Sequence, residues 1–267
     1  MIDHETSVYE FRDYSFFSDY FQLLNGLTFE VSRGESVALV GPTGSGKSLL
    51  LNLMLQVIWS AGAKTRVWRQ SGQLTIFGLA CSPSPPRERD LARIQSSTVL
   101  VRDQSVWLPL SVAENFHAVQ KLAGQMPIRS FESIVDEFAM SSRNRATLMS
   151  FAEQYPSQIE APHLQLLTVI RALVRKPEVI LLDEALVRMD PVLLKQTETL
   201  IQDKAEGATL IWATNDLYQA SRVTDRTLFL VGGELFEDTE TTKFFTNPKT
   251  QEAENFVSGR ELDSALD

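Results

Sequence analysis

Residues Gly41-Pro42-Thr43-Gly44-Ser45-Gly46-Lys47-Ser48 follow the pattern G-x-x-x-x-G-K-[ST], between an apolar run (Ser36 to Val40) and a leucine-rich one (Ser48 to Trp59). This constrains the fold more than any other feature, because the pattern requires a strand that feeds a glycine turn and opens a helix. In that setting the turn's backbone N–H groups converge on a phosphate, and the helix start adds positive potential. Lys47 can then reach the outer phosphates of a nucleotide, and Ser48 can offer its hydroxyl to a magnesium ion. Gly41 to Ser48 are therefore the candidate phosphate-binding residues.

The rest of the chain reads as alternating strands and helices. Leu27 to Val31 and Ser36 to Val40 are short apolar runs joined by Ser32-Arg33-Gly34-Glu35, a tight-turn composition. Ser48 to Trp59, with leucines on every face, predicts one buried helix. Gln73 to Phe77 predicts a strand, and Cys81 to Arg89, with three prolines, a loop. Ser111 to about Leu164 carries helical patterns and almost no strand signal. Beyond it come a helix from Leu164 to Lys176 ended by Pro177 and an apolar strand at Val179 to Leu182. A helix starts at Asp190-Pro191, and strands follow at Thr209 to Thr214 and Thr227 to Val231. This order argues an α/β P-loop fold, a mainly parallel sheet flanked by helices. The expected organisation is one domain over 1–267, with a nucleotide-binding core at 1–110 and 165–267 and a helical lobe at 111–164.

Charge and cysteine usage remove several classes. Asp plus Glu outnumber Lys plus Arg, 34 to 25, leaving a net charge of −9, so no overall basic field favours nucleic acid or anionic lipid. Cys81 is the only cysteine, which excludes an internal disulfide and a cysteine-built zinc site. With the acidic start of the chain, it points to a reducing cytosol and no secretion signal. The most apolar stretch, Leu49 to Trp59, is about half of the roughly 20 residues needed to cross a bilayer. The expectation is a chain that does not insert in a membrane but can sit on a protein that does.

Downstream, Val179-Ile180-Leu181-Leu182 runs into Asp183-Glu184. An acid at the strand's end can join Ser48 around a metal ion, and the next acid can polarise a water aimed at the terminal phosphate. Taken with Gln104 and Arg171-Ala172-Leu173, these motifs resemble the ATP-binding subunit of ABC transporters over nearly the whole chain. Asp103 to Asn115 and the tail from Gln219 to Arg260 resemble the phosphate-importer branch. The resemblance implies an antiparallel β portion beside the parallel sheet, and ATP and Mg²⁺ as ligands. It implies a dimer with a second ATPase subunit, each ATP lying between one chain's phosphate loop and the other's signature helix. It also implies transmembrane permease partners and a peripheral place on the cytoplasmic face. Glu184 takes the role of catalytic base, Asp183 and Ser48 of metal ligands, and Gln104 of a residue contacting both metal and attacking water. Lys47 belongs to the catalytic set as well as to the cradle. Phe17, beside Ser18, is the nominee for stacking on adenine.

Four positions depart from the family pattern. Counting back from Arg171 places Ile159-Glu160-Ala161-Pro162-His163 on the signature L-S-G-G-Q. Glu160 sets negative charge against a partner's phosphate, and Pro162 has no N–H to donate. Two like charges about 4 Å apart at an effective dielectric near 20 repel by roughly 4 kcal/mol. His163 reads more simply as a histidine near a helix start than as a ligand. Asn215 stands where the family has its switch histidine; it can donate a hydrogen bond to the γ-phosphate but cannot relay a proton near neutral pH. Val187-Arg188-Met189-Asp190 replaces S-A-L-D, and Ala185 replaces a proline. The expectation is an importer ATPase with weakened hydrolysis; the alternative is a degenerate ATP-binding module that pairs with an intact subunit. A repair or translation factor and a small-molecule kinase fit less, lacking respectively a second cassette and a use for the helical insertion.

Overall fold

The computed structural model describes residues 7–19, 21–60 and 68–259. The chain's first six residues and Arg260, which closed the tail segment read above, lie outside the described residues. The described residues fall into two units, those within Met1–Val99, Val179–Asp183 and Gly207–Asp267, and those within Leu100–Glu178 and Glu184–Glu206.

The first unit opens on an antiparallel sheet. β1 (Ser7–Ser18) pairs with β2 (Phe21–Ser32), setting Phe11 opposite Phe29, Tyr14 opposite Leu27 and Phe16 opposite Leu24. These aromatic and aliphatic side chains are buried, and Phe11 stacks on Phe29 with ring centres 4.5 Å apart. Such cross-strand pairs are what hold a sheet of this kind together. Sequence reading assigned no strand to β1 and only the second half of β2. The interposed Arg12 and Asp13 break the alternation but are exposed, and the register shifts between Phe11 and Tyr14 to accommodate them.

β3 (Ser36–Val40) leads into α1 (Lys47–Met54) and α2 (Val57–Ser60). The single helix expected over Ser48 to Trp59 is thus two: α1 stops at Met54, and buried Gln56 takes a left-handed φ of 59°. Its side-chain amide donates to the Leu53 carbonyl and satisfies a helix-end acceptor inside the core. β4 (Trp68–Ile76) returns to β1, and β5 (Leu79–Ala80) completes the order β2-β1-β4-β5. The expected proline loop runs only to Arg87, where α3 (Glu88–Ser97) begins with Glu88 and Asp90 in its first turn. β6 (Thr98–Arg102) carries the chain from the first unit to the second.

The second unit holds α4 (Val112–Leu122), α5 (Phe131–Phe138), α6 (Ser142–Ser150), a short 3₁₀ turn at Pro156–Gln158 and α7 (Ala161–Leu173). α4 starts on a reciprocal cap: the Glu114 N–H donates to the Ser111 hydroxyl and the Ser111 N–H to the Glu114 carboxylate. β7 (Val179–Asp183) belongs to the first unit and is buried along its whole length. α8 (Pro191–Lys204) belongs to the second, and Asp190 caps it by accepting from the Val192 and Leu193 N–H groups, as its sequence predicts.

β8 (Thr209–Ala213), α9 (Leu217–Val223), β9 (Arg226–Val231), β10 (Glu234–Glu240), α10 (Thr241–Thr246) and α11 (Gln251–Val257) finish the first unit. The larger sheet runs β10-β9-β3-β8-β7-β6, with β3, β7, β8 and β9 parallel. Gly232 and Gly233, both at positive φ, turn β9 into β10. Phe229 and Phe244 anchor a core cluster between β3, β9 and the last helices. Among the described residues no helix is long and apolar enough to cross a membrane. The fold is the α/β architecture that the sequence motifs imply, a mainly parallel sheet with a separate antiparallel sheet and flanking helices.

Candidate functional site

In the first unit, buried β3 delivers the chain to Gly41, whose φ of 153° and crowding admit only glycine. A Cβ there would stand 1.9 Å from the Leu230 carbonyl oxygen of β9. At Gly46, a Cβ would meet Leu24 at 2.9 Å, and φ is 105°. The Gly233 N–H donates to the Ser45 carbonyl at 3.0 Å, so the β9–β10 turn props the loop from outside. Between these fixed ends Thr43 and Gly44 are exposed.

Lys47 opens α1 and is 5% exposed. Its ammonium donates to the Gly41 carbonyl at 2.7 Å and to the Pro42 carbonyl at 2.9 Å, so the charge is held over the loop's interior. The buried Ser45 hydroxyl has no hydrogen-bond partner among the described residues. A buried unpaired hydroxyl is costly unless a ligand completes it. The Ser48 hydroxyl donates to Asp183 Oδ1 at 2.8 Å, and Asp183 is 8% exposed at the end of β7. One lysine, an unpaired hydroxyl, a helix N-terminus and a hydroxyl–carboxylate pair form an oxygen-rich donor set that suits a hard cation beside a polyphosphate. These residues fit Mg-ATP, with Ser48 and Asp183 as the ones that would hold the metal.

Asn215 lies past the end of β8, which runs parallel to β3 with Leu39 opposite Ala213; the Thr214 N–H donates to the Leu39 carbonyl. It is exposed at the same sheet end as the loop. Phe17 is partly buried in β1, opposite Gln22, with the Arg69 guanidinium 5.8 Å from its ring centre. Its neighbour Phe16 faces inward onto Trp68. The strand that Phe17 pairs with carries Leu24, the side chain closest to Gly46.

The second unit holds Gln104 and Glu184, both exposed. Glu184 follows directly on Asp183 and has φ of 48°. A non-glycine residue in the left-handed region carries a conformational cost, and such residues cluster at functional sites. Glu160 is the N-cap of α7 without a side-chain cap bond, Pro162 lies in the first turn, and the His163 ring packs 5.3 Å from the Phe151 ring. That packing matches the simpler reading of His163.

Sequence reading missed the residues that hold the Gln104 loop. Arg188 binds Asp103 through an ion pair that includes a hydrogen bond from Nη2 to Oδ2, and Gln165 of α7 donates to the same carboxylate. Trp107 donates to Thr168, and the Arg171 guanidinium lies 3.9 Å from the Trp107 ring centre. Burial pulls the Arg171 pKa down to about 10. The one signal available was the opposite charge of Asp103 and Arg188, but 85 residues of sequence separate them.

The profile of the family described as ABC transporter matches residues 24–187. The chain is 31% identical to the glutamate transport ATP-binding protein GluA of Corynebacterium efficiens over 90% of its length and 94% of that protein. It is 30% identical to the phosphate import ATP-binding protein PstB 2 of Bacillus licheniformis over 89% of its length and 84% of that protein. In structure it is similar to a bacterial Atm1-family ABC exporter with ATP bound, at a TM-score of 0.77 and 20% identity. That match covers 99% of this chain, which spans 43% of the exporter chain.

Proposed function

The chain belongs to the ABC transporter family, and from that premise we propose that it is the ATP-binding subunit of an importer for an acidic amino acid. It is an ATP-hydrolysing P-loop enzyme that works with ATP and Mg²⁺. The observation that carries the nucleotide part of the reading is the Ser48–Asp183 bond beside the buried Lys47. Bound Mg²⁺ would neutralise the charge that develops on the transferred phosphoryl group of ATP, and Ser48 and Asp183 are the residues that would hold it. Lys47 exchanges the Gly41 and Pro42 carbonyls for phosphate oxygens, and the loop N–H groups and Ser45 complete the cradle. Glu184 holds the attacking water and takes its proton, Gln104 orients that water and the metal, and Asn215 donates to the γ-phosphate. Phe17 is the nominee against adenine.

The subunit works as a dimer with a second ATP-binding subunit and on transmembrane permease subunits, peripheral on the inner face of the membrane. Residues 111–164 are the proposed lobe that meets the permease. Both the glutamate transport and the phosphate import relatives support an importer. The tail resemblance to the phosphate branch is matched by a relative at 30% identity, whereas GluA stands at 31% over slightly more of both chains; we take an acidic amino acid as the solute. Uptake of labelled glutamate and of phosphate, measured with the cognate permease, separates the two.

Slow turnover is part of the proposal, and Glu160 and Pro162 at the start of α7 support it, because they weaken the surface offered to a partner's nucleotide. The second reading, a binding module beside an intact subunit, draws on the same residues. Phosphate release by the purified full chain tests the choice. Steady release that disappears in Glu184→Gln supports the enzyme, and ATP retained without turnover supports the module.

A further inference from the structure

Three loops and helices of the second unit meet at one carboxylate. Asp103, the residue before Gln104, accepts a hydrogen bond from Arg188 Nη2 at 2.7 Å on Oδ2, and Arg188 Nε lies 2.7 Å from Oδ1 in the same ion pair. Gln165 Nε2 donates to Asp103 Oδ1 at 2.8 Å, and the Arg188 backbone N–H donates to Gln165 Oε1 at 3.3 Å, closing a ring of three residues. Arg188 lies four residues after Glu184, on the loop that leads to the capped start of α8.

The same α7 face grips the Gln104 loop at two further points. Gln165, Thr168 and Arg171 follow one another at steps of three, which places them on one side of the helix. Thr168 receives the Trp107 indole N–H at 3.2 Å, and Arg171 donates to the Val106 carbonyl at 2.9 Å. The segment around Gln104 is therefore strapped to α7 on both sides, while Gln104 itself stays exposed. At the Arg188–Asp103 pair the loop of one catalytic candidate is tied directly to the loop of the other.

We propose that Arg188 is a positioning residue, which through Asp103 sets the Gln104 loop against the loop that follows Glu184. The effect on hydrolysis rests on the ATPase reading above; the tie between the loops does not. An orienting role of this kind acts on the chemical step, since a displacement of about 1 Å can cost a hundredfold in rate. It leaves nucleotide affinity, set by residues of the other unit, nearly untouched.

The test uses the full chain in three variants, Arg188→Gln, Asp103→Asn and the charge swap Asp103→Arg with Arg188→Asp. Amide exchange of residues 103–108 is read without nucleotide, and kcat and KM for ATP are read with Mg²⁺. In Arg188→Gln, exchange of that segment is expected to rise about fivefold or more. There kcat falls about tenfold with KM within about twofold, and the melting temperature holds within about 3 °C. Asp103→Asn, which keeps an acceptor for Gln165, gives a smaller change in both, and the swap restores part of each. Unchanged exchange in Arg188→Gln overturns the proposal, as does a loss of rate without faster exchange or a swap that rescues neither. If the native chain turns over no ATP while exchange responds as stated, the hydrolysis reading fails and the tie between the loops stands.

Discussion

The Ser48 hydroxyl donates to Asp183 Oδ1 across 2.8 Å, joining the first turn of α1 to the last residue of β7. Two oxygens brought together from distant parts of the chain would supply two of the six ligands that an octahedral magnesium ion takes. Removing the metal with a chelator should therefore weaken ATP binding to the native chain by about tenfold or more, whereas Asp183→Ala should bind ATP weakly with or without Mg²⁺. Calorimetric titration in the two buffers checks this; an equal metal effect in both proteins would refute it.

Gly41 and Gly44 predict different costs for the same substitution. A Cβ at Gly41 would stand 1.9 Å from a backbone oxygen that cannot move without shifting β9, whereas a Cβ at Gly44 meets nothing within 4 Å. Gly41→Ala is expected to cost about 3 kcal/mol and Gly44→Ala about 1 kcal/mol, the latter from its left-handed φ alone. Denaturant midpoints measure both.

The parts of this arrangement that were legible in the sequence are those written in local pattern. The strand, glycine turn and helix at residues 36–54, the strand ending in Asp183 and the cap at Asp190 each follow from residues a few positions apart. β1 was not legible, because Arg12 and Asp13 interrupt its alternation and their exposure is known only once β2 and β4 lie on either side. The break at Gln56 was hidden because a glutamine in a leucine-rich run gives no sign that it will be buried at positive φ. Arg188 read as a departure from a family pattern, and its partner Asp103 as an ordinary acid. Only the fold brings 85 residues of separation down to 2.7 Å.

Alkaline pH should destabilise the antiparallel sheet of the first unit. Burial pushes the Cys81 thiol up to about 12 and holds the Tyr9 and Tyr14 phenols well above their ordinary range. The folded state keeps these three protons while the unfolded chain releases them. Stability from these groups is intact below the ordinary pKa values, roughly 8.5 to 10, and is lost as pH rises from there towards the folded values. The slope is at most about 1.4 kcal/mol per pH unit for each group. Denaturant midpoints from pH 8 to 11 should show the decline, and Cys81→Ala should make it shallower.

The start of α7 predicts a gain. Glu160→Ser supplies a hydroxyl that can cap the helix, worth about 1 kcal/mol, and removes a negative charge that favours the helix start by somewhat less, so the net gain in helix stability is small. Joined with Pro162→Gly, which restores a backbone donor, it should raise phosphate release several-fold if Glu160 and Pro162 slow the native chain. No change in rate would remove them as the cause of the slow turnover proposed above.

The most direct measurement is calorimetric titration of Mg-ATP into the full chain and into Lys47→Ala. The account predicts saturable binding to the native chain and an affinity at least about tenfold lower in the variant, since a buried cation aimed at the phosphates is lost. Equal affinity in the two proteins, or no heat in either, would contradict it.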